Sequence, residues 1–391
     1  MLGAEFRIKP SITISEEYTD NVFDSHLNRE SDYITRAQPG ISLQYQAPFW
    51  DWDLNYAYDY RYYARGSQKN DTTHHGNLHG LLKLVDEKLF LELSDSYQRV
   101  SLDVTRDTTN ESLFQNQSDQ NIGTVSPYLV LRPTAAIMIK TGYRYENIWY
   151  KDALAIDKQN HFLFLETSYE VTPKFFTTAG YIYSREESGT VGDNLSRHQA
   201  FLGPRYEYAD KSFIFAHGGA FITKHSTGRE TTKPFWNAGI THNFDTVTAT
   251  LTSSSTYSED PLGVATLEMA YAASIAKNFK RGTVTLLGSY SEFSDQTGDS
   301  LDTTRYSTGF TSTYELLQDL HGTLGLTYEH YDDVLQDTST RKYALEAGLS
   351  YLIDQETSLG LNYLYTDYSS AQVVEDNKQV NRVILEARKG F

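Results

Sequence analysis

The sequence predicts an all-β chain closed into an antiparallel, transmembrane, up-and-down β-barrel of about 20 strands, with roughly 18 to 22 compatible with its spacing. Three observations predict it. Segments of about 10–15 residues carry apolar side chains on one parity and polar or charged ones on the other, along the whole length. The spacers between them alternate short and long, as in barrels with short periplasmic turns and longer extracellular loops. Tyrosine reaches 30 and phenylalanine 19 against only 9 prolines. That composition suits strands and the aromatic girdles where a barrel wall meets lipid headgroups.

Taken in order, the short spacers are Phe49-Trp50-Asp51, Asp86-Glu87-Lys88, Arg132-Pro133-Thr134, Thr172-Pro173-Lys174, Asp210-Lys211, Phe244-Asp245, Asn278-Phe279-Lys280, Gln318-Asp319 and Asp354-Gln355-Glu356. The long ones lie near 20–31, 66–73, 102–117, 151–157, 187–194, 226–231, 259–263, 294–301, 334–339 and 369–378. The strands lie between them, in a single domain over 1–391. An even strand count puts both termini on the periplasmic side. A propeller would need repeated glycine or Trp-Asp signals, which do not stand out.

The two parities define two faces. In 51–65, Trp52, Leu54, Tyr56, Tyr58, Tyr60 and Tyr62 oppose Asp53, Asn55, Asp59, Arg61, Tyr63 and Arg65. A tyrosine column buried in a soluble core would need a partner for every hydroxyl, whereas at a membrane interface the hydroxyls stay wet. Ile137, Ile139, Tyr143, Tyr145 and Trp149 oppose Lys140, Arg144 and Glu146. Leu163, Leu165 and Tyr169 oppose Glu166 and Glu170, with Phe162 and Phe164 on the charged side. Leu324, Leu326 and Tyr328 oppose Thr323, Thr327 and Glu329. A lysine or arginine facing lipid at mid-bilayer costs about 2–4 kcal/mol, so these charges belong inside. The lumen-facing candidates are Asp53, Asp59, Arg61, Tyr63, Gln98, Lys140, Arg144, Glu146, Arg205, Glu207, Glu329 and Glu386. Gly142, Gly180, Gly309, Gly325, Gly348 and Gly360 read as relief of strain in a curved sheet rather than as a local widening. At the C-terminus Val383, Leu385, Ala387 and Phe391 oppose Arg382, Glu386 and Arg388. Val383, Leu385 and Phe391 look like the signal that bacterial barrel-assembly machinery reads.

Composition excludes several classes. Length alone suggests two or three soluble domains. Mean hydropathy is −0.51, and no run approaches the roughly 18 apolar residues of a membrane helix. Alternating barrel strands average out as hydrophilic, so neither fact opposes a barrel. With no cysteine, disulfides, thiolate metal sites, cysteine nucleophiles and covalent haem are excluded from this chain. A net charge of −17 argues against nucleic acid as a partner. Met1-Leu2-Gly3-Ala4-Glu5 lacks the basic and apolar regions of a signal peptide, so the chain reads as a mature form with a start methionine.

Catalytic motifs are missing: no HExxH, GxSxG or phosphate loop stands out. Asp59/Arg61 and Arg144/Glu146 share a face at i, i+2 and read as lumen ion pairs rather than catalytic dyads. The chain is therefore read as not an enzyme, with no cofactor and no metal. His74 and His75 are consecutive, so in a strand they point opposite ways. The acidic stretch from Glu16 to Asp24 could offer oxygens to calcium, but it lacks EF-hand spacing and reads as a solvated loop. Loop 102–117 is the longest and the best candidate for a constriction or surface contact.

Phe6-Arg7-Ile8-Lys9-Pro10-Ser11-Ile12, Tyr18-Thr19-Asp20-Asn21-Val22-Phe23, Asp32-Tyr33-Ile34-Thr35-Arg36 and Pro39-Gly40-Ile41-Ser42-Leu43 resemble the start of the β-barrel porin 2 family. The resemblance is strongest over 6–60. Members are outer-membrane barrels associated with exopolysaccharide loci, including those with PEP-CTERM sorting systems. The resemblance implies a passage for secreted polysaccharide, with a periplasmic polysaccharide export protein as partner beside outer-membrane lipid and the assembly machinery. It implies no site residues. Two alternatives stay open: a general diffusion porin for ions and small solutes, and a sheath around a partner such as a multihaem cytochrome.

Overall fold

The computed structural model describes residues 4–85, 87–105, 116–188, 194–263, 266–294 and 301–391. They form twenty strands: β1 (Glu5–Thr19), β2 (Asp32–Gln46), β3 (Trp50–Tyr63), β4 (Asp71–Val85), β5 (Leu89–Ser101), β6 (Gln117–Thr134), β7 (Ile137–Tyr150), β8 (Lys158–Thr172), β9 (Phe175–Ser188), β10 (Leu195–Ala209), β11 (Ser212–His225), β12 (Glu230–Phe244), β13 (Val247–Ser258), β14 (Thr266–Phe279), β15 (Gly282–Ser294), β16 (Leu301–Leu317), β17 (Leu320–Asp333), β18 (Thr338–Leu352), β19 (Thr357–Ser370) and β20 (Lys378–Gly390). Each pairs antiparallel with its sequence neighbours in one 20-stranded sheet. β20 returns to β1, from Ser11↔Gly390 to Thr19↔Arg382. The sheet is a closed barrel with no free edge.

Turns of two to four residues close one end, and β1 begins and β20 finishes there. The tightest turns place Lys211, Asp245 and Asp319 at positive φ, a conformation that aspartate tolerates better than most residues. The connections at the other end run from four to fifteen residues. Twenty strands about 4.8 Å apart and tilted about 40° enclose a backbone diameter near 40 Å if circular. Side chains cannot fill that width. Among the described residues the apolar cluster is small: Val22, Ile34 and Tyr63 with Phe23 beside them, near the long-loop end.

Contacts that cross the barrel identify its inner face. Lys158, the first residue of β8, reaches Glu259 just beyond β13, at 2.6 Å. Five strands separate the two, so they meet only across the interior. The parity of Lys158 continues along β8 through Asn160, Phe162, Phe164 and Glu166. The register carries it to Lys140, Arg144 and Glu146 on β7 and to Gly180 and Ile182 on β9. Leu163, Leu165, Leu251, Ile275, Leu326 and Leu385 take the opposite parity and are all exposed.

Three outward-facing clamps repeat at one height. Tyr56, Tyr143 and Tyr181 each hydrogen-bond through Oη to Nδ1 of His74, His161 and His198, at 2.7 Å. A second tyrosine two residues on, Tyr58, Tyr145 or Tyr183, packs against the same histidine ring. Each histidine is the fourth residue of its strand from the long-loop end. An aromatic band with satisfied polar tips at constant depth is what a headgroup boundary selects. One carboxylate departs from the pattern. Asp95 shares the parity of Leu91 and Leu93, and Asn121 donates to both its oxygens at 3.1 and 3.2 Å.

Candidate functional site

The inner wall carries two distinct sets of side chains. The first is a belt of ion pairs just inside the long-loop end. Asp59 is fully buried and accepts from Arg36 at 2.7 Å and Arg61 at 3.0 Å, with His75 at 3.9 Å. His75 thus turns inward while His74 holds its outward clamp. Tyr63 is buried beside Ile34. Glu17 accepts from Arg382 at 2.7 Å across the β1–β20 seam. Lys342 donates to Glu329 at 2.6 Å, and the Tyr331 hydroxyl donates to the same carboxylate. Such pairs hold adjacent strands in register and occupy the charges that their burial would otherwise penalise.

Long connections fold over this end. Lys158 donates to Glu259 and to the Asp260 carbonyl, both at 2.6 Å, and its side chain has no exposed surface. The amide of Ile156 donates to the Pro261 carbonyl at 2.8 Å. The β13–β14 connection is therefore tied to β8 and to the β7–β8 connection. Glu186 lies 4.0 Å from the same ammonium. Burial pushes the Glu259 carboxyl up to about 7 against the pull of Lys158, with Glu186 and Glu146 adding repulsion.

A second bridge starts from the longest connection. Arg305 on β16 donates to the Thr105 carbonyl at 3.2 Å. Thr105 lies four residues past the end of β5, a reach of at most about 14 Å, to which an arginine adds about 7 Å. β5 and β16 stand on opposite sides of a 20-strand ring, where a circular wall would set them about 40 Å apart. The long-loop mouth is thus narrower than a circle. Residues 106–115 of the proposed constriction lie outside the described residues.

The second set lies on β5–β11, from mid-height on β7 and β8 to near the short-turn end at Arg205 and Phe213. Lys140 sits over the Tyr128 ring at 4.2 Å, and Arg144 over Phe162 at 4.2 Å. Arg205 sits over Phe213 at 3.8 Å. Glu146 accepts from Asn160 at 3.0 Å. Glu207 is exposed opposite Phe213, and Glu386 is half-buried opposite Ser15 and Gly360. Asp53 faces His79 at 3.9 Å. Gln98 is exposed opposite Gln120, whose amide donates to the Tyr150 hydroxyl at 2.8 Å.

Two glycines in this patch have a packing role that strain relief does not describe. Phe164 pairs with Gly142 and Phe201 with Gly180 across neighbouring strands. A Cβ on Gly142 would come within 2.5 Å of the Pro127 carbonyl oxygen and 2.8 Å of the Phe164 ring, and one on Gly180 within 2.3 Å of the Phe201 ring. The Phe201 ring covers the space Gly180 vacates, and the tip of the Phe164 ring reaches over Gly142. The β13–β15 stretch of wall is different: Thr250, Thr252, Ala272, Ser274, Thr285 and Ser289 carry its inner parity, with Leu287 among them. The lining is aromatic and charged on β7–β10 and richer in hydroxyls on β13–β15.

Several oxygens of the 16–24 stretch bond within the protein. Glu17 holds Arg382, and Asp20 accepts from the backbone and side-chain amides of Asn381 at 2.8 and 2.7 Å. Among the described residues no group of three histidine or acidic side chains is placed to hold a metal ion. Sequence reasoning missed Lys158, Glu259 and Arg197, whose guanidinium sits over Tyr257 at 3.7 Å. It registered Phe162 and Phe164 as apolar residues on a charged face, which was the available signal for the ring platform.

No family model matches the chain and no curated protein matches it, so the family resemblance rests on the residues quoted for it. Solved structures do match. The fold is that of outer-membrane β-barrel proteins: the siderophore receptor PirA from Pseudomonas aeruginosa aligns over 98% of this chain and 80% of its own, with 11% identity and a TM-score of 0.55. OccK2 (OpdF) and OpdK with vanillate, both from the same organism, align over 98% of each chain with 10% identity and TM-scores of 0.49 and 0.48.

Proposed function

We propose that this chain is an outer-membrane channel that passes hydrophilic solutes, and that its cargo is a secreted polysaccharide. The carrying observation is the closed wall of twenty strands, apolar outside and polar inside. Lipid is its outer partner. The short-turn end, with both termini, faces the periplasm, where a polysaccharide export protein would deliver the polymer. Val383, Leu385 and Phe391 lie exposed on the outer face of the seam strand and at its end, open to assembly machinery. The polysaccharide reading draws on the family resemblance and on the mixed aromatic and polar lining, which offers weak successive contacts rather than one tight site.

Liposome swelling tests it. Vesicles carrying the purified protein should swell in isotonic sugars, with a rate that falls as the sugar grows. Swelling indifferent to sugar chemistry at matched size would favour a general diffusion porin. Absence of swelling, with a protein partner retained through purification, would favour a sheath.

A further inference from the structure

We propose that the mid-height patch on β7–β10 is a binding subsite for a neutral saccharide, with the Phe164 and Phe201 rings as its stacking floor. This deepens the channel reading and rests on it for a role in transport. The site is a pocket of about 360 Å³ opening from the inner wall. Phe162, Phe164 and Phe201 line it together with Lys140, Arg144 and Glu166.

Three features give it the chemistry of sugar recognition. The first is a pair of aromatic rings in the pocket lining. A pyranose has faces of polarised C–H groups, which pack against the electron-rich face of an aromatic ring. The Phe201 ring covers Gly180, the tip of the Phe164 ring reaches over Gly142, and both side chains are half-buried. Both rings line the open pocket on the inner wall. The two rings stand on β8 and β10, two inter-strand steps or about 10 Å apart. That separation suits neighbouring units of one oligosaccharide rather than a single small solute.

The second feature is free cations. Lys140 and Arg144 rest on rings, and neither has a carboxylate within ion-pair distance among the described residues. A ring face attracts a cation without consuming its N–H donors. Those donors remain for hydroxyl oxygens.

The third is mixed sign. Glu92, Glu146 and Glu166 line the same pocket. Hydroxyl groups both donate and accept, so a neutral sugar uses cations and carboxylates together. A uronate would meet three carboxylates against two cations. Sites that recognise hydroxyl-rich ligands combine an apolar floor with a few placed polar groups in this way.

The test is calorimetric titration of the purified barrel with cellohexaose and, separately, with hexagalacturonate. Phe164→Leu/Phe201→Leu keeps apolar volume and removes the ring faces. Phe164→Tyr/Phe201→Tyr keeps the faces. Heat-modifiable migration in gels verifies that each variant is a folded barrel, and ion conductance without sugar reads the channel independently. The proposal expects cellohexaose to bind wild type, the leucine pair to bind about tenfold or more weakly, and the tyrosine pair to stay close to wild type. Equal binding by the leucine pair, tighter binding of hexagalacturonate, or no binding by a conducting wild-type barrel overturns the subsite while leaving the channel reading intact. Cellohexaose binding lost in the leucine pair of a non-conducting barrel supports the subsite and refutes the channel reading.

Discussion

Lys158→Met should release the β13–β14 connection from the inner wall. Methionine keeps most of the apolar stem and removes the ammonium. In the native barrel that ammonium donates to Glu259 and to the Asp260 carbonyl. Without it Glu186, buried, and Glu259, half-buried, remain close together with their nearest cation gone. Removing one partner of a buried ion pair costs about 3–5 kcal/mol. The other ties between the same elements are weaker: the Ile156 amide to Pro261 and the Tyr150 hydroxyl to Glu259 at 3.5 Å. A hydrogen bond contributes about 1 kcal/mol net, so at about pH 9, where Glu259 is held ionised, the connection should swing away rather than bear the uncompensated charge. A loss of about 3 kcal/mol lowers the docked-to-released ratio roughly 100-fold. The Ile156 amide reports this directly, because its acceptor belongs to the released segment. Its hydrogen exchange should accelerate by about that factor while amides in the strands keep their protection. Adding Glu259→Gln should restore much of the protection, since the residual charge is then gone. Unchanged exchange at Ile156 in Lys158→Met would refute the assignment of this ion pair as the anchor.

The same carboxylate gives a pH dependence. In the docked state Glu259 titrates near 7, above its ordinary 4.5. A raised carboxyl pKa means the docked state holds the proton more tightly than the released one. Docking therefore strengthens as pH falls from about 7 toward 4.5, by at most about 3 kcal/mol, and Ile156 exchange corrected for intrinsic rate should slow over that window. Leu251 and Thr252 sit next to each other on β13 with opposite parity, and Leu251 is exposed. Leu251→Arg should lower unfolding stability in lipid by about 2–4 kcal/mol, whereas Thr252→Arg should leave stability nearly unchanged and reduce conductance. Gly180→Ala should fold but displace the Phe201 ring, for about 1–3 kcal/mol in unfolding stability. Gly203→Ala should fail to accumulate as a barrel, because its Cβ would lie 1.9 Å from the Ala216 carbonyl oxygen.

The wall was legible in the sequence because its signals are local. Strand parity repeats every second residue, and eighteen of the nineteen connections overlap a predicted spacer; Arg132-Pro133-Thr134 instead continue β6, whose turn follows at 135–136. The closing pair needed no motif beyond a last strand with the same two faces as the first. What stayed hidden depends on distance across the barrel. Nothing near Lys158 announces a partner 101 positions away, and the approach of Thr105 to Arg305 follows from how the mouth narrows. The ring platform hid for another reason: Phe164 and Gly142 look like a parity error and a weak strand residue until the register sets them side by side. Asp95 is the converse case, a charge on the outer parity that Asn121 makes tolerable.

Single-channel recording of the purified protein in planar bilayers tests the central claim most directly. A water-filled lumen predicts a steady, ohmic conductance that persists without any added protein. Insertion of folded barrels without measurable conductance would contradict it.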